Sequence, residues 1–481
     1  MALRHIPVAP LPLDRFRPLL TEAERAELDE VRERSRRLLA GRVVWNVNST
    51  ASGGGVAELL RSLLAYTRGA GVDVRWVVVD GKPDFFSLTK RLHNRLHGVP
   101  GDGGPLGEAE HELYQRTLAA AARELHALVK PGDTVLLHDP QTAGLIPALT
   151  DGVRVVWRSH IGRDTQNEWT EEAWRFLRPY IEGADGWVFS RADYAPPGLD
   201  PDRVVIVTPS IDVFSPKNQE LEAPTVAAIL AVAGLQPAAA SGGAPVFTHV
   251  DGSPGRVDRL AELDGDPVPP GVALVTQVSR WDRLKDPIGV LAGFVRYVAP
   301  RTDAHLMLAG PATAAVSDDP EGDEVLADVR RVRAELEPAL RQRVHLACLP
   351  MEDAEENGAI VNALQRRSTI VVQKSLAEGF GLTVGEAMWK RRPLVASAVG
   401  GICDQIEDAV SGVLLRDPAD LEAYGAAVVA LLADPGRAAV LGAAAHERVR
   451  ERFMSVRHLI AYVRMLEHIQ AAGAAAAVTA R

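Results

Sequence analysis

Residues 370–386 read IVVQKSLAEGFGLTVGE. A short β-branched run, Ile370–Gln373, gives way to a polar loop containing Gly379 and Gly381, and a helix opens near Leu382. Strand, glycine-bearing loop and helix form the repeating unit of parallel sheets, because the helix carries the chain back over the sheet to start the next strand. The loop holds one carboxylate, Glu378, and a second, Glu386, follows eight positions later in the first helical turns. Carboxylates accept hydrogen bonds from sugar and ribose hydroxyls, and amides at a helix start hold phosphate. Open α/β sheets bind ligands outside the carboxyl ends of their strands, so the residues after each strand carry the chemical information.

Outward from this stretch the rhythm repeats. Val272–Val278, His305–Ala309, Val344–Ala347, Leu394–Ala396 and Val413–Leu415 are companion strands with helical stretches between them. An earlier series runs through Val43–Val47, Val72–Val79, Thr134–His138, Val153–Arg158, Gly186–Phe189 and Val204–Val207. Gly55–Arg68, Glu108–Leu128 and Thr170–Glu182 read as helices of that series. The predicted fold class is α/β, with two Rossmann-like doubly wound domains at 42–218 and 271–453. Residues 219–270, rich in Ala and then in Gly, Pro and Ser, read as a linker with an inserted loop. Residues 1–41 read as a charged helical extension whose helix starts at the capping-box spacing Thr21–Glu24. That helix is expected to pack on its own domain, and is also a candidate homodimer surface. Residues 454–481 read as a C-terminal helix crossing back to the first domain, followed by an alanine-rich tail that frays.

Composition narrows the class. A length of 481 residues exceeds one ordinary core, and 47% hydrophobic with 24% charged residues is globular, which excludes a long disordered chain. A net charge of -10 argues against a general nucleic-acid binder. Only Cys348 and Cys403 are present, too few for a disulfide framework, so a reducing cytoplasm is expected. No apolar run approaches the roughly 20 residues that span a bilayer, so no membrane attachment is expected.

The strand ends collect polar groups. After the first strand comes Asn48-Ser49-Thr50-Ala51-Ser52-Gly53-Gly54-Gly55, whose three glycines allow close approach of backbone to a ligand. The loop has neither the ending of a P-loop nor the order of a dinucleotide fingerprint. His138 and Asp139 follow the Thr134 strand, and Arg158, Ser159 and His160 end the Val153 strand, which suggests one polar cleft. In the second half, Arg280 and Lys285 offer a planar fork and a point charge to a diphosphate. Asp282 and Asp286 stand beside them as the counter-charges that a purely structural pair would use.

Glu378-x7-Glu386 with upstream Arg280 and Lys285 resembles the retaining nucleotide-sugar glycosyltransferases of the GT-B architecture, two Rossmann-like domains facing each other across a cleft. The segments VVWNVNSTASGGGVAELL, LLHDPQ, VVWRSHIG, EEAWRFLRPYIEGADGWVFS and VTPSIDVFSPKN are similar to the trehalose glycosyltransferring synthases over nearly the whole chain. The departure lies at 235–264, an extra loop containing Asp251-Gly252-Ser253-Pro254-Gly255-Arg256. The resemblance implies synthesis of trehalose from NDP-glucose (UDP-, ADP- or GDP-glucose) and free glucose. It implies that Arg280 and Lys285 bind the diphosphate, and that Glu378 contacts donor-glucose hydroxyls with the amides of Gly379, Phe380, Gly381, Leu382 and Thr383. Glu386 would take the ribose, Gly53, Gly54 and Gly55 would face the diphosphate, and Asp139 and His160 would line the sugar side.

No carboxylate is evidently placed as a reverse-face nucleophile, which favours front-face attack with the leaving phosphate accepting the proton. The two cations could take the place of a metal, so neither metal nor other cofactor is expected. Three rivals stay open: a trehalose phosphorylase using glucose 1-phosphate, a nucleotide-sugar transferase with another acceptor, and a non-catalytic sugar-nucleotide sensor. Arg158 and Arg163 keep a phosphorylated acceptor in play. A nicotinamide oxidoreductase lacks its loop in both halves.

Overall fold

The computed structural model describes residues 2–51, 55–149, 152–238, 242–313 and 321–479, with 472–479 described as backbone only. The chain divides into two units, one of residues 1–210 with 455–481 and one of residues 211–454.

The first unit is built on seven strands: β1 (Leu3–Ile6), β2 (Val44–Asn48), β3 (Val74–Val79), β4 (Thr134–His138), β5 (Arg154–Ser159), β6 (Gly186–Phe189) and β7 (Val204–Ile206). They lie in the order β1-β3-β2-β4-β5-β6-β7, all parallel except β1, which pairs antiparallel with β3. The central strands read as apolar runs because helices cover both faces; Trp45, Val47, Leu136 and Trp157 are fully buried. The strand β1 was not legible in the proline-punctuated start of the sequence. It is held by the Glu124 carboxylate, which accepts from the amides of Ala2 (2.9 Å) and Leu3 (3.0 Å).

Helix Glu22–Leu38 starts at the expected reciprocal cap, with the Thr21 amide donating to Glu24 Oε2 at 2.8 Å. Its charges are used inside the unit: Glu24 pairs with Arg457, Glu27 with Arg464 (2.6 Å), and Arg34 Nε with Glu467 Oε1 (2.9 Å). All three partners lie on the long helix Ser455–Thr479, whose Leu459, Val463 and Leu466 pack against Leu28, Val31 and Leu63. The face offered from sequence as a candidate dimer surface is therefore engaged by the chain's own C-terminal helix.

The second unit adds β8 (Val246–Thr248), β9 (Pro254–Arg256), β10 (Glu262–Asp264), β11 (Leu274–Val278), β12 (His305–Pro311), β13 (Val344–Leu349), β14 (Ile370–Gln373), β15 (Leu394–Ser397) and β16 (Val413–Leu415). Its main sheet runs β10-β13-β12-β11-β14-β15-β16. The span 219–270, read as a linker, is folded into this unit. Helix Ala223–Val232 buries Ile229 and Leu230, β8 and β9 form a hairpin, and β10 adds an antiparallel edge to β13. Arg330 pins that edge, donating to Asp264 at 2.7 Å and Glu262 at 2.5 Å. Among the described residues no single helix is long and apolar enough to cross a membrane.

Both sheets wind outward from their first parallel strand, β2 between β3 and β4, and β11 between β12 and β14. At such a reversal the loops leaving two adjacent strands diverge and open a crevice at the carboxyl edge.

Candidate functional site

In the second unit the crevice lies between the loops after β11 and β14. The loops are tied together, since the Leu376 amide donates to the Leu284 carbonyl at 2.7 Å. Lys285, at the end of the short turn Arg283–Lys285, reaches across so that Nζ stands 2.6 and 2.7 Å from the two Glu378 oxygens. Ser375 Oγ donates to Glu378 Oε2 at 3.1 Å, and Gln277 Nε2 holds the Lys285 carbonyl at 2.9 Å. A carboxylate fixed from two sides presents a defined acceptor, and the lysine remains partly exposed at 17%.

Arg280 stands on the same loop as Lys285, its Nη2 3.2 Å from Asp282 Oδ2. Asp282 is buried and also accepts from the Leu284 amide at 2.8 Å, so it orients the guanidinium and the turn together. Asp286 serves a different cation. It sits in the left-handed region (φ 48°), caps helix Pro287–Gly293 through the Gly289 amide, and pairs with the fully buried Lys374.

Gly381 is also left-handed (φ 82°) and directly precedes helix Leu382–Trp389, so Leu382 and Thr383 form its first turn. Gln405 holds this loop from behind, donating to the carbonyls of Phe380 (2.5 Å) and Gly381 (3.2 Å). A Cβ on Gly401 would come 2.6 Å from Phe380 Cα, which explains a glycine there. Thr383 Oγ1 donates to Gln373 Oε1 at 3.1 Å. Glu386 has partners of its own. It is buried one turn into the helix, 3.5 Å from Lys217 Nζ and 3.4 Å from Gln365 Nε2.

In the first unit Gly53 and Gly54 lie outside the described residues, and Gly55 opens helix Gly55–Gly69 as an exposed residue. Asp139 and His160 are brought together at the ends of β4 and β5. Asp139 has φ 63°, and its Oδ1 accepts from the His160 amide at 2.7 Å while its own amide donates to the Arg158 carbonyl at 2.8 Å. Burial pushes the Asp139 carboxyl up to about 7, against the opposing pull of the His160 amide and the Arg158 charge. His138 stacks on His160 and their ring nitrogens stand 3.1 Å apart; the other His138 nitrogen faces Asn46 Oδ1 at 3.2 Å. Burial, with the charge of Arg158 nearby, pushes His138 down to about 3 and His160 well below its ordinary value.

Of the two arginines that left room for a phosphorylated acceptor, Arg158 is committed inside the protein, whereas Arg163 is exposed. Arg158 is fully buried and donates to the Val207 carbonyl (3.1 Å), faces His458 Nε2 (3.1 Å), and bonds to the Tyr462 hydroxyl. Arg163 donates to the Gly98 carbonyl at 3.1 Å. Asp282, Ser375, Lys217, Gln405, His458 and Tyr462 all shape these sites but were not singled out from sequence as site residues. A buried polar residue adjoining a strand end is the one signal that could have marked Asp282 and Ser375.

The family model for the N-terminal domain of trehalose synthase matches residues 46–196, and that for glycosyl transferases group 1 matches residues 354–448. The trehalose synthase of Pyrococcus horikoshii is 33% identical over 461 residues, covering 95% of this chain and 96% of the relative. That of Rubrobacter xylanophilus is 34% identical over 449 residues, 92% of this chain and 94% of the relative. Among solved structures, an alpha,alpha-trehalose-phosphate synthase (UDP-forming) from Burkholderia vietnamiensis aligns with a TM-score of 0.63 at 16% identity, over 88% of this chain and 98% of that one. At that identity the likeness is one of fold.

Proposed function

Because the chain belongs to the trehalose synthase family, and so is a trehalose-related hexosyltransferase of GT-B fold, we propose that it transfers glucose from an NDP-glucose to free glucose with retention. The observation that carries this reading is the Lys285–Glu378 pair, with Arg280 on the same loop as Lys285, at the winding reversal of the second sheet. A nucleotide diphosphate leaves as a polyanion, and Arg280 and Lys285 supply fixed positive charge where that charge grows. Glu378, oriented by Lys285 and Ser375, accepts from the donor's sugar hydroxyls, and the first-turn amides of Leu382 and Thr383 face the phosphate. Glu386 takes the ribose hydroxyls in exchange for its contact with Lys217.

The acceptor hydroxyl attacks from the face the diphosphate leaves. The C1–O bond to the diphosphate breaks, a new C1–O bond to the acceptor forms, and the departing phosphate oxygen takes the hydroxyl proton. The transition state is oxocarbenium-like; because attack comes from the leaving-group face no carboxylate nucleophile takes part, and Arg280 and Lys285 supply the charge a metal would. In the first unit Asp139 and His160 bind sugar hydroxyls, and the free sugar is favoured because Arg158 is buried and bonded within the protein.

Incubation with each of UDP-, ADP- and GDP-glucose plus glucose, read by NMR, should yield α,α-linked trehalose with at least one donor. Product from glucose 1-phosphate plus glucose, and none from any NDP-glucose, would replace this reading with a phosphorylase. Tight nucleotide binding without transfer to any sugar would replace it with a sensor.

A further inference from the structure

At the opposite edge of the first sheet, where β2, β3 and β4 begin, the surface sinks into a hollow of about 450 Å³. Four cations from separate segments line it: Arg36 of helix Glu22–Leu38, Arg42 after that helix, Arg75 of β3 and Lys130 ahead of β4. The acids there are engaged. Asp133 is buried and accepts from the amides of Val43 (2.9 Å) and Lys130 (3.0 Å) and the Trp45 indole (3.2 Å). Asp73 pairs with Arg75 at 3.0 Å. Arg36 donates to the Ala70 carbonyl at 2.7 Å and pairs with Glu33 at 2.9 Å.

That leaves Arg42 and Lys130, whose side chains make no hydrogen bond or ion pair with any described residue. Outside the lining, Arg154 at the start of β5 is held below its ordinary pKa by burial; the charge of Asp185 opposes that shift and the like charge of Arg42 adds to it. Asp73 and Asp133 keep their charge when hydrogen-bonded, yet the lining cations outnumber them, so the hollow stays net basic and favours an anion. A chain of net charge -10 has no general basic surface to account for the grouping.

We propose that this hollow binds a phosphate group, free or as the monoester of a small molecule, with Arg42 and Lys130 as its principal partners. A guanidinium fork and an ammonium together match a phosphate's oxygens. The volume falls within the range of about 300–1,000 Å³ usual for small-molecule sites and exceeds what inorganic phosphate alone would fill. Arg280 and Lys285 belong to the other unit, and the inference does not rest on the proposed transfer reaction.

Calorimetric titration of the full chain at physiological ionic strength, with inorganic phosphate and separately with glucose 6-phosphate, tests it. One saturable site is expected, weakened at least ten-fold in the Arg42→Gln, Lys130→Gln double variant and retained in Lys285→Ala. Tighter binding of the ester would identify an organic phosphate as the ligand, and equal binding would identify inorganic phosphate. The absence of a saturable site for either probe would overturn the proposal. So would an affinity unchanged in a double variant whose circular dichroism and melting temperature match the parent, or one lost in Lys285→Ala alone.

Discussion

Lys285 Nζ lies 2.6 and 2.7 Å from the two carboxylate oxygens of Glu378, a residue 93 positions away in the chain. The contact joins the loops that leave β11 and β14, the neighbours at which the second sheet reverses its winding. Each residue orients the other, and both remain partly open to a ligand at 17% and 10% exposure.

Lys285→Ala is expected to lower turnover by roughly two to four orders of magnitude, as loss of a preorganised charge partner does in comparable sites. Because Glu378 loses its positioning at the same time, the Lys285→Ala, Glu378→Ala double variant should cost far less than the two single effects added. A double-mutant cycle on kcat would read the coupling; strict additivity would separate their roles.

Gln405→Ala should leave the Phe380 and Gly381 carbonyls without their buried donor. The expected cost is about 1–3 kcal/mol in urea unfolding, with KM for the nucleotide sugar rising more than kcat falls. An unchanged KM would show that the loop holds its shape unaided.

Arg158→Met tests the buried anchor between β5 and the C-terminal helix. It strips a hydrogen-bond donor from Val207, His458 and Tyr462 inside the unit, so a loss of about 3 kcal/mol or more is expected. Tyr462→Phe removes one contact and should cost about 1 kcal/mol. Thermal melts of both variants against the parent would rank them.

Acid should weaken the first unit through His138. Its folded pKa is about 3, far below the roughly 6.5 of an unfolded imidazole. Between those values the unfolded chain binds the extra proton, so stability present above pH 6.5 is lost as pH falls toward 3. Asp139, raised to about 7, acts in the opposite sense, favouring the fold at low pH and eroding it as pH rises through 4 to 7. His138→Gln removes the first effect and leaves the opposing contribution of Asp139 in place. Relative to the parent, the variant should therefore gain about 2–3 kcal/mol on going from pH 7 to pH 4.5, measured by denaturant midpoints.

Treatment with a chelator should leave the transfer rate unchanged, because Arg280 and Lys285 carry the charge a divalent ion would otherwise supply. Activity abolished by chelation and restored by a divalent ion would contradict this.

Much of this was readable in one dimension because it depends on local rules. Short β-rich runs alternating with helical stretches located the main strands, and Thr21 with Glu24 marked a cap. The short edge strands β1 and β10 escaped because their pairing is set by partners far along the chain, Glu124 and Arg330. For the same reason 219–270 looked like a linker: loop-like composition does not reveal that Ile229 and Leu230 face a core.

What the amino-acid sequence by itself determined was the pair of doubly wound sheets and the residue types at their strand ends, since both follow from short-range periodicity and spacing. Only the tertiary structure decided which of those residues meet. Arg280 and Asp282 could be paired by proximity in the chain, but Lys285 with Glu378, Asp286 with Lys374, and Glu386 with Lys217 could not. Nor could sequence assign Arg158 to the C-terminal helix and not to a ligand. A charge's partner is chosen by distance in space, and that distance exists only once the sheet order has brought β11 beside β14.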